Sequence, residues 1–458
     1  MNELKLLKGK KFHFIGIGGV SMSSLALMLK RRGFYVQGSD DVQNAEVKKL
    51  AKRKVRVFLG HSQDNVLGVD VVVYSSAIHD DNPELVYAKK HKLLILRRAE
   101  LLGLVAEDYK TVIAVSGSHG KTTTTAMISE MFLNAGLKPT VHIGGRLKSI
   151  NSNYKIGNKE YFITENCEYK DNFLFVKPDI SVILNIDSDH LDYFGSLENI
   201  KLSFLKYAKG TRDGGLNLIC DSDSNLSEIS KLDNSIKFGK SKKSSMLARN
   251  INEYKAGYYS FDVVFEKCEL GEIKLNILGE HNIFNALAAV FVGLICGLEF
   301  DEIKKSIENF SGVERRSELI GEMEGVKIFH DYAHHPKQIE KMIRTLCRLK
   351  KESGGKLITI FEPHTFSRTK YLLEDFAKSF LGSDYVFLAP VYSARESVED
   401  GVDSKSLAKE CEKYFKNVKL INSFSDIVFE VKKIAKSDDF VLILGAGTIE
   451  KLAKMFID

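Results

Sequence analysis

The chain has 458 residues, 44% of them hydrophobic and 28% charged, so it is too long for one ordinary core and too apolar for a disordered chain. Its formal charge of +6, from 66 Lys and Arg against 60 Asp and Glu, is a slight basic bias that suits anionic small molecules and does not indicate nucleic-acid binding. Six scattered cysteines with no C-x-x-C pair exclude a disulfide framework and a structural zinc site. In chain order, Lys11–Ile15 reads as a strand, followed by the turn Gly16-Ile17-Gly18-Gly19 and a helix through Ser24–Arg32 that Gly33 ends. The opening has no secretory pattern and no apolar run is long enough to span a bilayer, so a cytoplasmic protein without membrane insertion is expected.

Strands at Phe34–Gly38, Val55–Leu59, Val69–Tyr74 and Leu93–Leu96 then alternate with helical stretches, which implies a parallel sheet. That unit closes near Ala106-Glu107-Asp108. A second unit opens with the strand Thr111–Val115, a glycine loop, and a helix carrying Met127, Ile128, Met131 and Phe132 on one face as far as Gly136. Apolar runs at Ser181–Ile186 and Gly215–Cys220 continue it. Tyr258–Phe265 alternates like an antiparallel strand, and a helix over Asn282–Leu294 leads toward Gly312. A third α/β unit begins near Arg315, with strands at Val326–Phe329, Lys356–Phe361, Tyr385–Leu388 and Phe440–Leu444. The restarting rhythm alone sets the expected boundaries, 1–108, 109–314 and 315–458.

Gly117-Ser118-His119-Gly120-Lys121-Thr122-Thr123 lies between a strand and a helix, where a phosphate loop belongs. Backbone N–H groups of a glycine turn and of the helix N-terminus form an anion cradle. There Lys121 offers charge to the β- and γ-phosphates, and the Thr122 hydroxyl is placed to ligate Mg2+. The spacing is shorter than G-x-x-x-x-G-K-[ST], because Val115 stands where the first glycine would be. A plain glycine turn with a solvated lysine is the alternative.

A nucleotide needs a divalent cation, and hard cations take oxygen ligands with occasional imidazole help. Glu165 ends an apolar strand, and His190 lies among acids in Asn185-Ile186-Asp187-Ser188-Asp189-His190-Leu191-Asp192. Ligands gather at the carboxyl ends of parallel strands, so both are candidates; taken singly, each also reads as a solvated loop residue.

Gly16-Ile17-Gly18-Gly19-Val20-Ser21-Met22-Ser23 suits a diphosphate resting on a helix N-terminus, and Ser39-Asp40 sits where a ribose-binding acid would. A dinucleotide-dependent dehydrogenase therefore stays open, although Ser21 stands where its fingerprint has a third glycine. Asn282 and Asn285 share a helix face from which amides can read adenine and ribose edges, with helix capping as the alternative. The histidines of His330–Pro336 and Glu362–Thr369 lack zinc-site spacing.

Taken in order, G-I-G-G-V-S-M-S-S-L-A from Gly16, G-S-H-G-K-T-T from Gly117, the D-H-L-D run, G-E-H-N-I-F-N-A-L-A-A from Gly279, H-D-Y-A-H-H-P from His330 and E-P-H-T-F-S-R-T from Glu362 resemble the Mur ligase superfamily. Within it they resemble the branch that adds L-alanine to UDP-N-acetylmuramate. The resemblance implies an α/β fold of three domains: Rossmann-like and UDP-sugar-binding (1–108), P-loop and ATP-binding (109–314), and a Rossmann-like C-terminal ligase domain (315–458). It implies an ATP-dependent ligase that joins L-alanine to the lactyl carboxylate through an acyl phosphate, in peptidoglycan precursor synthesis. It further implies two Mg2+ ions, replaceable by Mn2+, small-molecule substrates without nucleic acid, and a monomer or homodimer.

By the same resemblance, Gly16, Gly18, Gly19, Ser21, Met22, Ser39, Asp40 and Ser75 face the UDP-sugar. Gly117, Ser118, His119, Gly120, Lys121, Thr122, Thr123, Asn282, Asn285, Arg315 and Asp331 face ATP. Tyr332, His334, His364 and Arg368 face the amino acid and the muramyl group, with Arg395-Glu396 a weaker candidate. Thr122, Glu165 and His190 attend the metal, and Lys121, Glu165, His190, His334 and Arg368 carry the catalysis. In Glu165-Asn166-Cys167-Glu168-Tyr169-Lys170-Asp171 the glutamates Glu165 and Glu168 keep the places relatives give them, but Cys167, Tyr169 and Lys170 depart, as does Thr365 where many have arginine. The lysine that sister ligases modify falls at Phe204. A sister ligase adding another amino acid or peptide, and an ATP-sensing module, are the alternatives.

Overall fold

A computed structural model describes residues 3–394, 396 and 401–457. The chain forms two compact units. One holds Met1–Leu247, Val264–Glu269 and Phe284–Ile307, and the other Ala248–Val263, Leu270–Ile283 and Glu308–Asp458.

The first unit begins with a five-stranded sheet of β1 (Lys11–Ile15), β2 (Tyr35–Asp40), β3 (Arg56–Leu59), β4 (Val71–Tyr74) and β5 (Leu94–Arg97), in the order β3-β2-β1-β4-β5. Its pairings are parallel. Phe12 and Phe14 of β1 point to one core with Leu25 and Leu29 of the following helix, while Ile15 joins a second core with Val72 and Leu85. Both faces are covered, which is why these strands read as apolar runs. The order reverses beside β1, so the loops after β1 and β4 open a crevice at their carboxyl ends. Gly16–Gly19 and Ser75 sit there.

A second sheet in this unit uses β6 (Thr111–Ser116), β7 (Thr140–Leu147), β8 (Ser152–Lys155), β9 (Tyr161–Glu165), β10 (Ile180–Ile183), β11 (Leu216–Cys220) and β12 (Ser235–Gly239), in the order β12-β11-β10-β6-β9-β7-β8. Only the β7–β8 pair among these is antiparallel. Val115 of β6 pairs with Glu165 of β9, and Ser116 with Ile183 of β10. The phosphate loop, Glu165 and the Asn185–His190 segment therefore leave the sheet at one level. The chain then passes between the units through β13 (Met246–Lys255), β14 (Tyr258–Phe265) and β15 (Cys268–Lys274).

The second unit is built on β16 (Glu318–Met323), β17 (Val326–Asp331), β18 (Leu357–Phe361), β19 (Tyr385–Leu388), β20 (Val418–Leu420) and β21 (Phe440–Leu444), in the order β16-β17-β21-β18-β19-β20. Only β16 runs antiparallel. Leu357 and Phe361 of β18 face one core, and Ile358 and Ile360 the other. Asp331 and Phe361 both pair with Leu444, so the loops after β17, β18 and β21 start side by side. Among the described residues, no helix is long and apolar enough to cross a membrane.

Candidate functional site

The loop after β6 is shaped by two glycines in the left-handed region, Gly117 at φ 133° and Gly120 at φ 86°. Gly120 caps the helix Lys121–Asn134, and a Cβ there would stand 2.5 Å from Asn285 Oδ1. The loop is fastened to the segment after β10. Ser118 N–H donates to the Asn185 carbonyl at 3.0 Å, Asp187 N–H to Ser118 Oγ at 2.8 Å, and His119 N–H to Asn185 Oδ1 at 2.8 Å. His119 Nε2 lies 3.2 Å from Asp187 Oδ2. The first turn of the helix holds no acidic residue, so its positive end is left for an external anion. Thr122 is buried and Thr123 half-buried in that turn.

Lys121 folds back into the loop. Its Nζ donates to the Gly117 carbonyl at 2.5 Å and to Glu168 at 2.9 and 3.2 Å. Burial alone would lower the ammonium's pKa, but Glu168, Cys167 and Glu165 together hold it above the usual lysine value. Glu168 also lies 4.0 Å from His190 Nε2. Lys121, Glu168 and His190 thus form one cluster. His190 itself adopts a left-handed backbone at φ 57°, as do Lys170 and Asp171 at 54° and 57°. Strain of this kind collects where surrounding structure fixes a functional geometry. The Tyr169 ring packs 4.6 Å from His190, so the rearranged segment places an aromatic beside that histidine. Burial pushes the Cys167 thiol up to about 11.

Glu165 ends β9 with one carboxylate oxygen, Oε2, buried and without a hydrogen-bond partner. A Cβ at Gly144 of β7 would stand 2.1 Å from its other oxygen, so that glycine makes room for the carboxylate. Among the described residues no three His, Cys, Asp or Glu side chains are arranged as a ready metal cage. A carboxylate with a spare oxygen fits a Mg2+ that takes its remaining ligands from phosphates and water. Phe204 is core, edge-on to Phe173 at 5.0 Å.

In the first sheet's crevice, Gly16 (φ 74°) and Ile17 donate their N–H groups to the Ser39 carbonyl at 2.9 Å, and Gly18 N–H donates to Asp40 Oδ2 at 2.8 Å. Asp40 therefore braces the glycine turn. The Ser39 hydroxyl faces the interior and donates to Glu84 at 2.5 Å. Met22 is buried in the core, while Gly19 caps the helix Val20–Arg31. Ser75 Oγ accepts from Ala77 N–H at 3.2 Å. Ser21 binds Arg98 and His142, two residues that no motif pointed to.

The second unit brings Tyr332, His334, His364 and Arg368 together. The ring of His334 lies 5.4 Å from Tyr332 and 5.9 Å from His364, and Arg368 Nη1 donates to His364 Nδ1 at 3.3 Å. Tyr392, two residues past Pro390, adds a ring 5.5 Å from His364, and no residue pattern announces it. Both oxygens of Asp331 accept backbone N–H groups, from Ser317 at 2.6 Å and Ala333 at 2.7 Å, so it clamps the loop. Burial raises its pKa, with Arg316 acting against. Arg315 donates to Glu450 at 2.9 Å and to the Gly445 carbonyl at 3.1 Å. Asn282 and Asn285 are both buried on the helix Asn282–Ile295; Asn282 donates to the Leu278 carbonyl at 2.7 Å. Thr365 takes φ 72°, costly for a β-branched residue. Glu396 accepts from Ser367 N–H at 2.8 Å, and Arg395 lies outside the described residues.

Family models match along the chain: the Mur ligase family catalytic domain at residues 11–110, the Mur ligase middle domain at 115–293, and the Mur ligase glutamate ligase domain at 315–447. The UDP-N-acetylmuramate–L-alanine ligase of Caldicellulosiruptor bescii is 44% identical over 96% of this chain and 97% of its own. That of Caldanaerobacter subterraneus subsp. tengcongensis is 42% identical over 100% of this chain and 99% of its own. Among solved structures, the UDP-N-acetylmuramate–alanine ligase of Thermotoga maritima superposes with a TM-score of 0.82 at 27% identity, covering 98% of each chain. A murein peptide ligase from Psychrobacter arcticus shares the fold, with a TM-score of 0.74 at 22% identity over 98% of each chain. The chain belongs to the Mur ligase family, on the branch of the UDP-N-acetylmuramate–L-alanine ligases.

Proposed function

We propose that this chain joins L-alanine to the lactyl carboxylate of UDP-N-acetylmuramate at the expense of ATP, a cytoplasmic step of peptidoglycan precursor synthesis. The observation that carries the reading is the Lys121 loop beside the unpartnered oxygen of Glu165, in a chain alike over its whole length to ligases named for that reaction. The muramyl carboxylate attacks the γ-phosphate of ATP, giving an acyl phosphate and ADP. The amine of L-alanine then attacks the acyl carbon, and phosphate leaves.

Both partners of the first step are anions, so the chain must offset their repulsion. Lys121 exchanges Glu168 for the β- and γ-phosphates, and loop N–H groups hold the chain of phosphates at the helix N-terminus. Thr122, Glu165 and His190 would hold Mg2+, which supplies Lewis-acid charge at the transferring phosphoryl group. Asn282, Asn285, Arg315 and Asp331 attend the nucleotide. His334 and Arg368, with Tyr332 and His364, orient the carboxylate and the amino acid; Arg368 is the group able to fork onto a carboxylate now that Thr365 is not arginine.

Phosphate release measured with each substrate omitted in turn tests this. Release is expected only when UDP-N-acetylmuramate, L-alanine and ATP are all present. Release without the amino acid, or with another amino acid in preference, would sink the assignment.

A further inference from the structure

Arg98 opens the helix Arg98–Ala106, and its Nη1 donates to the Ser21 hydroxyl at 3.1 Å. Among the described residues Ser21 is its one hydrogen-bond partner, and no carboxylate lies within ion-pair distance. A guanidinium carries five N–H donors, so this partly buried one has donors to spare. Burial lowers its pKa, and the charges of Cys167 and Glu165 act against that. The head group lies against Ser21, in the first turn of the helix that follows the Gly16 turn.

Ser21 is itself oriented by a chain of hydrogen bonds. Its Oγ lies 2.9 Å from His142 Nε2, His142 Nδ1 lies 3.1 Å from Thr164 Oγ1, and Thr164 Oγ1 donates to the Glu165 carbonyl at 3.0 Å. Thr164 has one hydroxyl proton, and it is spent on that carbonyl. His142 must then donate from Nδ1 and accept at Nε2 from Ser21. Burial first, and then the charge of Arg98, push the His142 pKa down to about 3, which keeps the imidazole neutral for that role. Ser21 thus turns its lone pairs to Arg98, and the strand that ends in Glu165 fixes the arrangement.

We propose that Arg98, steadied by Ser21, His142 and Thr164, is an anion anchor of the nucleotide-sugar site that binds an oxyanion of that substrate, either its diphosphate or its lactyl carboxylate. The proposal rests on the reading that the Gly16 loop receives UDP-N-acetylmuramate. It explains why a cation with no acidic partner is held beside that loop.

Calorimetric titration of the full chain with UDP-N-acetylmuramate and with UDP-N-acetylglucosamine, which keeps the diphosphate and lacks the carboxylate, separates the two sources. Arg98→Gln is expected to weaken binding by roughly 10- to 100-fold. A loss on both sugars identifies the diphosphate; a loss on the muramate alone identifies the carboxylate. Thermal melting and ADP affinity, both expected to stay near wild type, report an intact fold. Should Arg98→Gln not fold, Arg98→Lys keeps the charge without the fork and is expected to lose several-fold. Wild-type affinity for both sugars in either folded variant overturns the proposal. If the wild type itself binds neither sugar, the functional reading fails and takes this proposal with it.

Discussion

Lys121 has four oxygens around its ammonium, one each from the Gly117 and Ser118 carbonyls and two from Glu168. Any phosphate that binds must compete with a buried carboxylate. Lys121→Gln removes the charge but keeps a hydrogen-bond donor for Glu168, so turnover should fall by about 10²-fold or more and stability should fall less than in Lys121→Ala. Lys121→Ala leaves the buried carboxylate with neither cation nor donor from this position and should cost about 3 kcal/mol of stability. Steady-state turnover with parallel melts checks both, and near-normal turnover in Lys121→Gln would remove the lysine from the chemistry. Glu165→Gln keeps the shape that Gly144 accommodates and discards one charge. The Mg2+ concentration for half-maximal turnover should then rise roughly tenfold or more, and an unchanged Mg2+ titration would remove Glu165 from the metal site. Lys121 was legible because its loop follows a strand and opens a helix. The hold of Glu168 on it was not, since it depends on a turn in which Lys170 and Asp171 take left-handed backbones, and no residue pattern announces that. Arg98 and His142 were invisible for a related reason: neither sits in a motif, and only the packing of their elements brings them to Ser21.

At the scale of elements, the buried network beneath the first crevice makes a pH prediction. Glu84 accepts from Ser39, from Asn65 at 2.6 Å, and lies 3.2 Å from both His13 and His61. Burial would raise its pKa, but the hydrogen bonds and charge of the histidines, with Ser39, hold it well below the ordinary carboxylate value of 4.5. A carboxylate more acidic folded than unfolded contributes stability above its unfolded value and loses it as the pH falls toward the folded one. His61, raised mainly by its hydrogen bond to Glu84 against burial, works the other way. Its contribution is full below the ordinary histidine value of 6.5 and is lost as the pH rises through the folded value. Melts of wild type and Glu84→Gln should therefore differ most between about pH 5 and 6 and converge as the pH falls below 4; a gap constant across that range would contradict the network. Gly120→Ala tests the loop. It sets a Cβ against Asn285 and forces φ 86° on an L residue, so ADP affinity should drop and stability fall by about 1–3 kcal/mol. Strands buried on both faces were legible as apolar runs. β7 was missed because Gly144 and Gly145 break its run where Glu165 needs room, and β16 because it is a half-exposed edge strand with charges at both ends.

Across the whole molecule, the expected groups divide between two compact units, with the Lys121 loop, Glu165, His190 and the Gly16 turn in one and the Tyr332–Arg368 cluster in the other. ATP use could be argued from the phosphate loop by physics alone. The muramyl and alanine assignments could not, because a small amino-acid pocket is spread over side chains whose roles depend on neighbours; ordered motifs and full-length similarity carry them. In the proposed reaction the lactyl carboxylate is activated by direct transfer of the γ-phosphoryl group before L-alanine attacks. UDP-N-acetylmuramate labelled with 18O in both carboxylate oxygens tests it most directly, with mass spectrometry of the released phosphate. One 18O is expected in each phosphate and one in the amide product. Phosphate free of 18O during product formation would contradict it.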